Sequence, residues 1–197
     1  MLISKVSITF RQDWSGLIAK YDHLKQLLNN NPNVKSKWIE AYKAERYDFG
    51  SSGSYVSFDT NTIVPGTASS LNGPMVEKLL PWISKLKTDM SELKIASIAF
   101  QGNSGPVERH VDNKEDTLAG HCKLNYIIDN YDVVTYAERD GVVENYPSIK
   151  DTGWLIDTTS EHWVEGQGQR YIFQICFDEE FSKVLEWFEQ HPNLVYE

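Results

Sequence analysis

His110, Val111 and Asp112 form an H-x-D triplet, and a second histidine, His162, follows further along the chain. In an extended segment, residues two apart point to the same side. A ring nitrogen of His110 and a carboxylate oxygen of Asp112 can then reach one metal ion, with His162 as a third ligand from elsewhere in the fold. Two histidines and one carboxylate occupy one face of an ion and leave the remaining positions open to small molecules. Taken alone, an H-x-D triplet is common by chance, and a lone histidine reads equally well as a surface or satisfied core residue.

Arg170 adds to the pattern. It stands at the head of the apolar run RYIFQICF (170–177). A guanidinium entering a buried strand is costly unless it meets an anion, and its planar fork suits a carboxylate held by two parallel hydrogen bonds. By itself the simplest partner is an Asp or Glu at the strand edge. Gly166 and Gly168 supply a turn that makes His162 and Arg170 neighbours on successive strands.

The elements that must position these residues are legible as patterns. Residues 2–10 alternate and are rich in β-branched side chains, predicting a strand. Leu17, Ile18, Tyr21, Leu24, Leu27 and Leu28 recur at helical spacing over 15–29, with Ser15 as N-cap and Asn29 to Pro32 as the stop. A shorter helix is expected over 34–47. Residues 48–72 read as a loop with one short strand near 55–58, long enough to act as a lid. Residues 74–90 read as a helix kinked at Pro81. From residue 93 the pattern turns to strands, at 94–100, 122–128, 133–138, 153–158 and 170–177, followed by an amphipathic helix over 178–191.

Composition bounds the rest. The chain has 197 residues, enough to bury a core in one domain without disulfides. Its net charge of −9 disfavours generic nucleic-acid binding. Cys122 and Cys176 have no zinc-type spacing and read as buried thiols. No signal-peptide core and no apolar run of about 18 residues is evident. These features predict a cytoplasmic protein without a membrane partner. His121, His23 and His191 have no companions at ligand spacing, and Trp154 and Trp163 read first as packing residues.

On these residues the chain resembles the 2-oxoglutarate and iron(II)-dependent dioxygenases. HVDN (110–113) is similar to the metal-binding segment of prolyl hydroxylases, and TTSEHWVEGQGQRYIFQICF (158–177) to the distal half of the aspartyl/asparaginyl β-hydroxylase group. KLNYIIDN (123–130) resembles the strand after H-x-D in small phage and bacterial members, so that the likeness spans about 93–178. The resemblance implies Fe(II) held by His110, Asp112 and His162, and Arg170 on the distal carboxylate of 2-oxoglutarate. Tyr126 or Asn125 would help hold that carboxylate, depending on which group guides the alignment. Adjacent strand residues face opposite ways, so a regular strand admits only one of them.

The expected fold is mainly β with flanking helices: a double-stranded β-helix, or jelly roll, of cupin-like kind. One domain over 1–197 is expected, with a helical and loop part to residue 92, the jelly-roll core over about 93–178 and a C-terminal helix over 179–191. The expected activity is hydroxylation of an amino acid, a peptide or protein side chain, or another small metabolite, with 2-oxoglutarate as cosubstrate. A cupin-like metal enzyme that does not use 2-oxoglutarate, or a binding protein in which H-x-D is accidental, are the alternatives. Oligomeric state is not legible.

Overall fold

Residues 1–30, 56–58, 68–72, 80–112 and 121–197 are described by a computed structural model. The N-terminal part contributes β1 (Ile3–Val6), β2 (Ile8–Phe10), α1 (Ser15–Asn30), β3 (Val56–Phe58), β4 (Ala68–Asn72) and α2 (Ile83–Asp89). The strand-rich centre follows as β5 (Ile95–Ser104), β6 (Val107–His110), β7 (Cys122–Ile127), β8 (Val133–Arg139), β9 (Val142–Pro147), β10 (Thr152–Asp157), β11 (Glu161–Gly166) and β12 (Gln169–Phe177). The chain closes with α3 (Phe181–Gln190) and β13 (Leu194–Tyr196).

The large sheet has the order β1-β10-β7-β12-β5-β4-β3, and the small sheet β6-β11-β8-β9. From β5 to β12 the chain changes sheet at every connection except the β8–β9 hairpin, and paired strands are antiparallel. This is the strand order of a jelly roll, mainly β with helices at its flank. The β8–β9 turn is Asp140-Gly141, both at positive φ (54° and 78°), as a tight hairpin turn requires.

The two faces of the large sheet are chemically different. Cys122, Leu124 and Tyr126 of β7 and Phe173, Ile175 and Phe177 of β12 face the helical layer. There they join Phe10, Trp14, Trp82 and Phe188 in the larger core cluster. Fully burying one such side chain contributes roughly 1.5–3 kcal/mol, so this layer supplies most of the hydrophobic stabilisation. The opposite face lines the space between the sheets. Its apolar cluster is smaller (Ile127, Ala137, Tyr146, Ile156 and Ile172 among its members) and is shared with buried Asn125, His162, Arg170 and Gln174. Cys122 and Cys176 are free, buried thiols.

Several boundaries differ from the sequence expectation. The strand over 2–10 breaks at Ser7, because β1 pairs with β10 whereas β2 pairs in parallel with β13. Pro81 does not kink a helix; it precedes α2, where its missing N–H costs nothing. The 74–79 part of that helix, the helix over 34–47 and most of the 48–72 loop lie outside the described residues. Within that loop β3 matches the short expected strand, and β4 is a further one, paired with β5. Among the described residues no helix is long and apolar enough to cross a membrane.

Candidate metal centre

β6 ends on His110, and β11 brings His162 directly opposite it in the small sheet. Register shifts between His162 and Val164, so the pairing is irregular at the histidines. Asp112 follows β6 by two residues, and its backbone N–H donates to the Thr158 carbonyl at 3.3 Å. That bond ties the segment carrying His110 and Asp112 to the turn that leads into β11.

The three side chains converge. Asp112 Oδ1 lies 3.7 Å from His110 Nε2 and 3.8 Å from His162 Nε2, and the imidazole centroids are 4.2 Å apart. Among the described residues they form the one group of His, Cys, Asp or Glu ligand atoms all within 4.8 Å of one another. The tautomers follow from the partners. His110 Nδ1 is 2.7 Å from the Glu108 carbonyl, and His162 Nδ1 is 3.0 Å from the Ser160 carbonyl. A carbonyl only accepts, so each Nδ1 carries the hydrogen and each Nε2 presents its lone pair to the shared space. Burial holds the His162 pKa below its ordinary value, against the opposing pull of Asp112 and the Ser160 carbonyl. The neutral ring is the form that binds a metal. His110 is more exposed, at the mouth, while His162 is buried.

The other oxygen of Asp112 faces a cation. Lys123 Nζ of β7 lies 2.5 Å from Oδ2, with both side chains largely buried at 16% and 13% exposure. The contact is an ion pair without an aligned hydrogen bond at Oδ2. Burial pulls the lysine pKa down, but Cys176 and Asp112 outweigh it, so the ammonium stays charged.

Further into the space between the sheets, four polar side chains form a directional chain. Gln101 Nε2 donates to Gln174 Oε1 (2.9 Å), Gln174 Nε2 to Asn125 Oδ1 (2.7 Å), and Asn125 Nδ2 to Tyr146 Oη (2.9 Å). Tyr146 accepts from this chain, so its own O–H remains available as a donor. Its ring stacks on Trp154 at 5.0 Å. Arg170 is 5% exposed; burial lowers its pKa, and Tyr146 and Tyr131 are the ionisable groups that oppose this. The β11–β12 turn that carries the chain from His162 to Arg170 has Gly166 and Gly168 at φ 117° and 102°, as the two glycines in the sequence predict.

Asn125 and Tyr126 separate cleanly. Asn125 faces the space between the sheets. Tyr126 faces the helical layer, where its hydroxyl receives the Phe10 N–H (3.4 Å) and donates to Asp151 (3.2 Å). The Tyr126 reading is therefore corrected: the pleat of β7 turns its ring away from Arg170. Sequence reasoning missed Tyr146, Gln174 and Lys123. A readable signal existed for two of them, since Lys123 and Gln174 are polar interruptions of otherwise apolar strands. His121 pairs loosely with Asp178 (3.8 Å) and His191 Nδ1 meets the Trp187 carbonyl (2.8 Å), both away from the triad. Trp163 lies on the outer face between Tyr136 and Arg109.

No family model and no curated protein matches this chain. Solved structures with some likeness are 2OG-Fe(II) oxygenase-family proteins and cupins. A prolyl-4-hydroxylase from Pseudomonas putida aligns at TM-score 0.44 and 13% identity, covering 72% of this chain and 85% of that one. An alpha-ketoglutarate-dependent epimerase from nogalamycin biosynthesis aligns at TM-score 0.44 and 11% identity, covering 71% and 70%. A cupin-2 domain protein from Shewanella frigidimarina aligns at TM-score 0.30 and 15% identity, covering 40% and 67%.

Proposed function

We propose that the protein is a 2-oxoglutarate- and iron(II)-dependent oxygenase that hydroxylates an amino acid, a peptide or protein side chain, or another small metabolite. The observation that carries this reading is the convergence of two imidazole Nε2 atoms and one carboxylate oxygen within 4.8 Å. The set fits a divalent first-row ion: neutral nitrogen donors with fixed tautomers, one anionic oxygen, and an exposed side at His110. Bound iron would supply oxygen activation coupled to conversion of 2-oxoglutarate into succinate and carbon dioxide.

The chain's own residues would do the rest. His110, Asp112 and His162 would hold the ion on one face. Arg170 would take the distal carboxylate of 2-oxoglutarate in its fork, with the Tyr146 O–H as an added donor and Asn125 holding Tyr146 in place. Ile127 and Ile172 would keep water from the cosubstrate. The test is oxygen-dependent succinate formation from 2-oxoglutarate, screened across amino acids and peptides after anaerobic iron(II) loading. Asp112→Ala and His162→Ala are expected to be inert beside an active parent. Parental activity in both variants would overturn the assignment, and stoichiometric metal uptake without 2-oxoglutarate turnover would point to a metal-dependent enzyme of another kind.

A further inference from the structure

Among the described residues Lys123 makes the shortest polar contact with the triad, at 2.5 Å from Asp112 Oδ2. Its neighbours define its role. It projects from β7 into the space between the sheets, two residues before Asn125, with Cys176 across from it on β12. Its ammonium sits 2.5 Å from Oδ2 of Asp112, while Oδ1 of the same carboxylate lies 3.7 and 3.8 Å from the two histidine Nε2 atoms. One carboxylate thus has its two oxygens committed to different tasks. No other cation is paired with Asp112 among the described residues.

We propose that Lys123 is a resident counter-ion of the metal centre: it holds Asp112 so that Oδ1 alone faces the histidines, and it weakens the binding of a divalent cation. The inference rests on His110, Asp112 and His162 being the metal ligands. Two physical effects act in the same direction. A fixed positive charge beside the carboxylate repels an incoming dication across a poorly solvated gap. In the metal-free protein the ammonium also offsets the charge of a largely buried carboxylate, which lowers the gain on metal binding. The orientation of Asp112 does not depend on the lysine alone, because its backbone N–H is bonded to Thr158. Removing the charge therefore tightens binding and frees Oδ2 to approach the ion. Lys123 is a positioning residue in this scheme.

The probe is Mn(II), titrated into the full chain under nitrogen and followed by the loss of the free-ion paramagnetic resonance signal. Binding by the parent that His162→Ala abolishes establishes the ligand set. Lys123→Met is then expected to bind Mn(II) about tenfold tighter or more, and Lys123→Arg, which keeps the charge, to stay within about threefold of the parent. Equal or weaker binding by Lys123→Met overturns the proposal while leaving the ligand set intact. A parent that takes up no Mn(II) overturns the ligand set and the proposal together. A second measurement needs no lysine variant: the infrared carboxylate bands of Mn(II)-loaded parent minus Asp112→Asn are expected to show one-oxygen coordination. Two-oxygen coordination by the parent would contradict the assigned role.

Discussion

Replacing Gln174 with leucine tests the polar chain at its hinge. Gln174 is 6% exposed and holds two amide–amide bonds, accepting from Gln101 Nε2 and donating to Asn125 Oδ1, beside a weak third from the Cys176 thiol at 3.5 Å. Leucine of similar size removes both. Asn125 is 8% exposed, so its carbonyl oxygen is stranded at a cost of about 1–3 kcal/mol. Gln101 is only half-buried and recovers part of its loss from water, leaving about 0.5–1 kcal/mol. The apolar gain from leucine offsets roughly 1 kcal/mol. A net loss of about 2 kcal/mol is expected, which for a chain of this length lowers Tm by about 4–8 °C. Urea unfolding of Gln174→Leu, Asn125→Leu and the double variant gives the coupling directly. The double variant is expected to recover about 1 kcal/mol relative to additivity, because neither partner of the Gln174–Asn125 bond is then left stranded by loss of the other. A single Gln174→Leu cost below about 0.5 kcal/mol, or strict additivity, would refute the chain as an energetic unit.

Three further outcomes are expected. Tyr146→Phe removes the O–H available to an anion, and is expected to weaken 2-oxoglutarate binding by calorimetry about tenfold, within the range of one hydrogen bond to a charged group. Tyr126→Phe, on the helix-facing side of the large sheet, is expected to leave that affinity unchanged while costing about 1 kcal/mol in urea unfolding through its bonds to Asp151 and Phe10. Glu144 titrates below its ordinary value of 4.5; burial works against this, but the Leu2 and Ile3 N–H groups donating to its carboxylate prevail. Its contribution to stability is therefore present above the unfolded value of 4.5 and lost as pH falls toward the folded one, so Glu144→Gln is expected to flatten the acid limb of an unfolding-versus-pH series.

The fold class was readable because most jelly-roll strands carry apolar runs, and because His110 and Asp112 sit at and just past a strand end while His162 and Arg170 sit near strand starts. What escaped has physical reasons. In β9 only Glu144 and Tyr146 have neighbours in the interior while Val142 and Val143 are solvent-exposed, which inverts the usual apolar-in rule. β4 is ASSLN, a segment whose composition reads as loop and whose strand character comes from pairing with β5. The choice between Asn125 and Tyr126 stayed open because β7 is buried on both faces, so alternation alone does not say which side the helices cover. Lys123 and Asn125 on one face against Cys122, Leu124 and Tyr126 on the other hold the answer, once a polar interior is allowed.

The break at Ser7 sends the first nine or so residues of the chain in two directions, and both destinations are remote. β1 joins β10, and β2 waits for β13 at the far end. The Leu2 and Ile3 amides close on Glu144 across separations of 142 and 141 residues. A chain organised this way cannot complete its sheets from local pairings: β1 and β2 find their partners only in strands that come much later in the sequence. Such long closures make folding slow, on the millisecond-to-second scale of strand-rich topologies. Until β13 arrives, an alternating apolar strand is left with an unpaired edge, and in that interval the protein is most exposed to self-association.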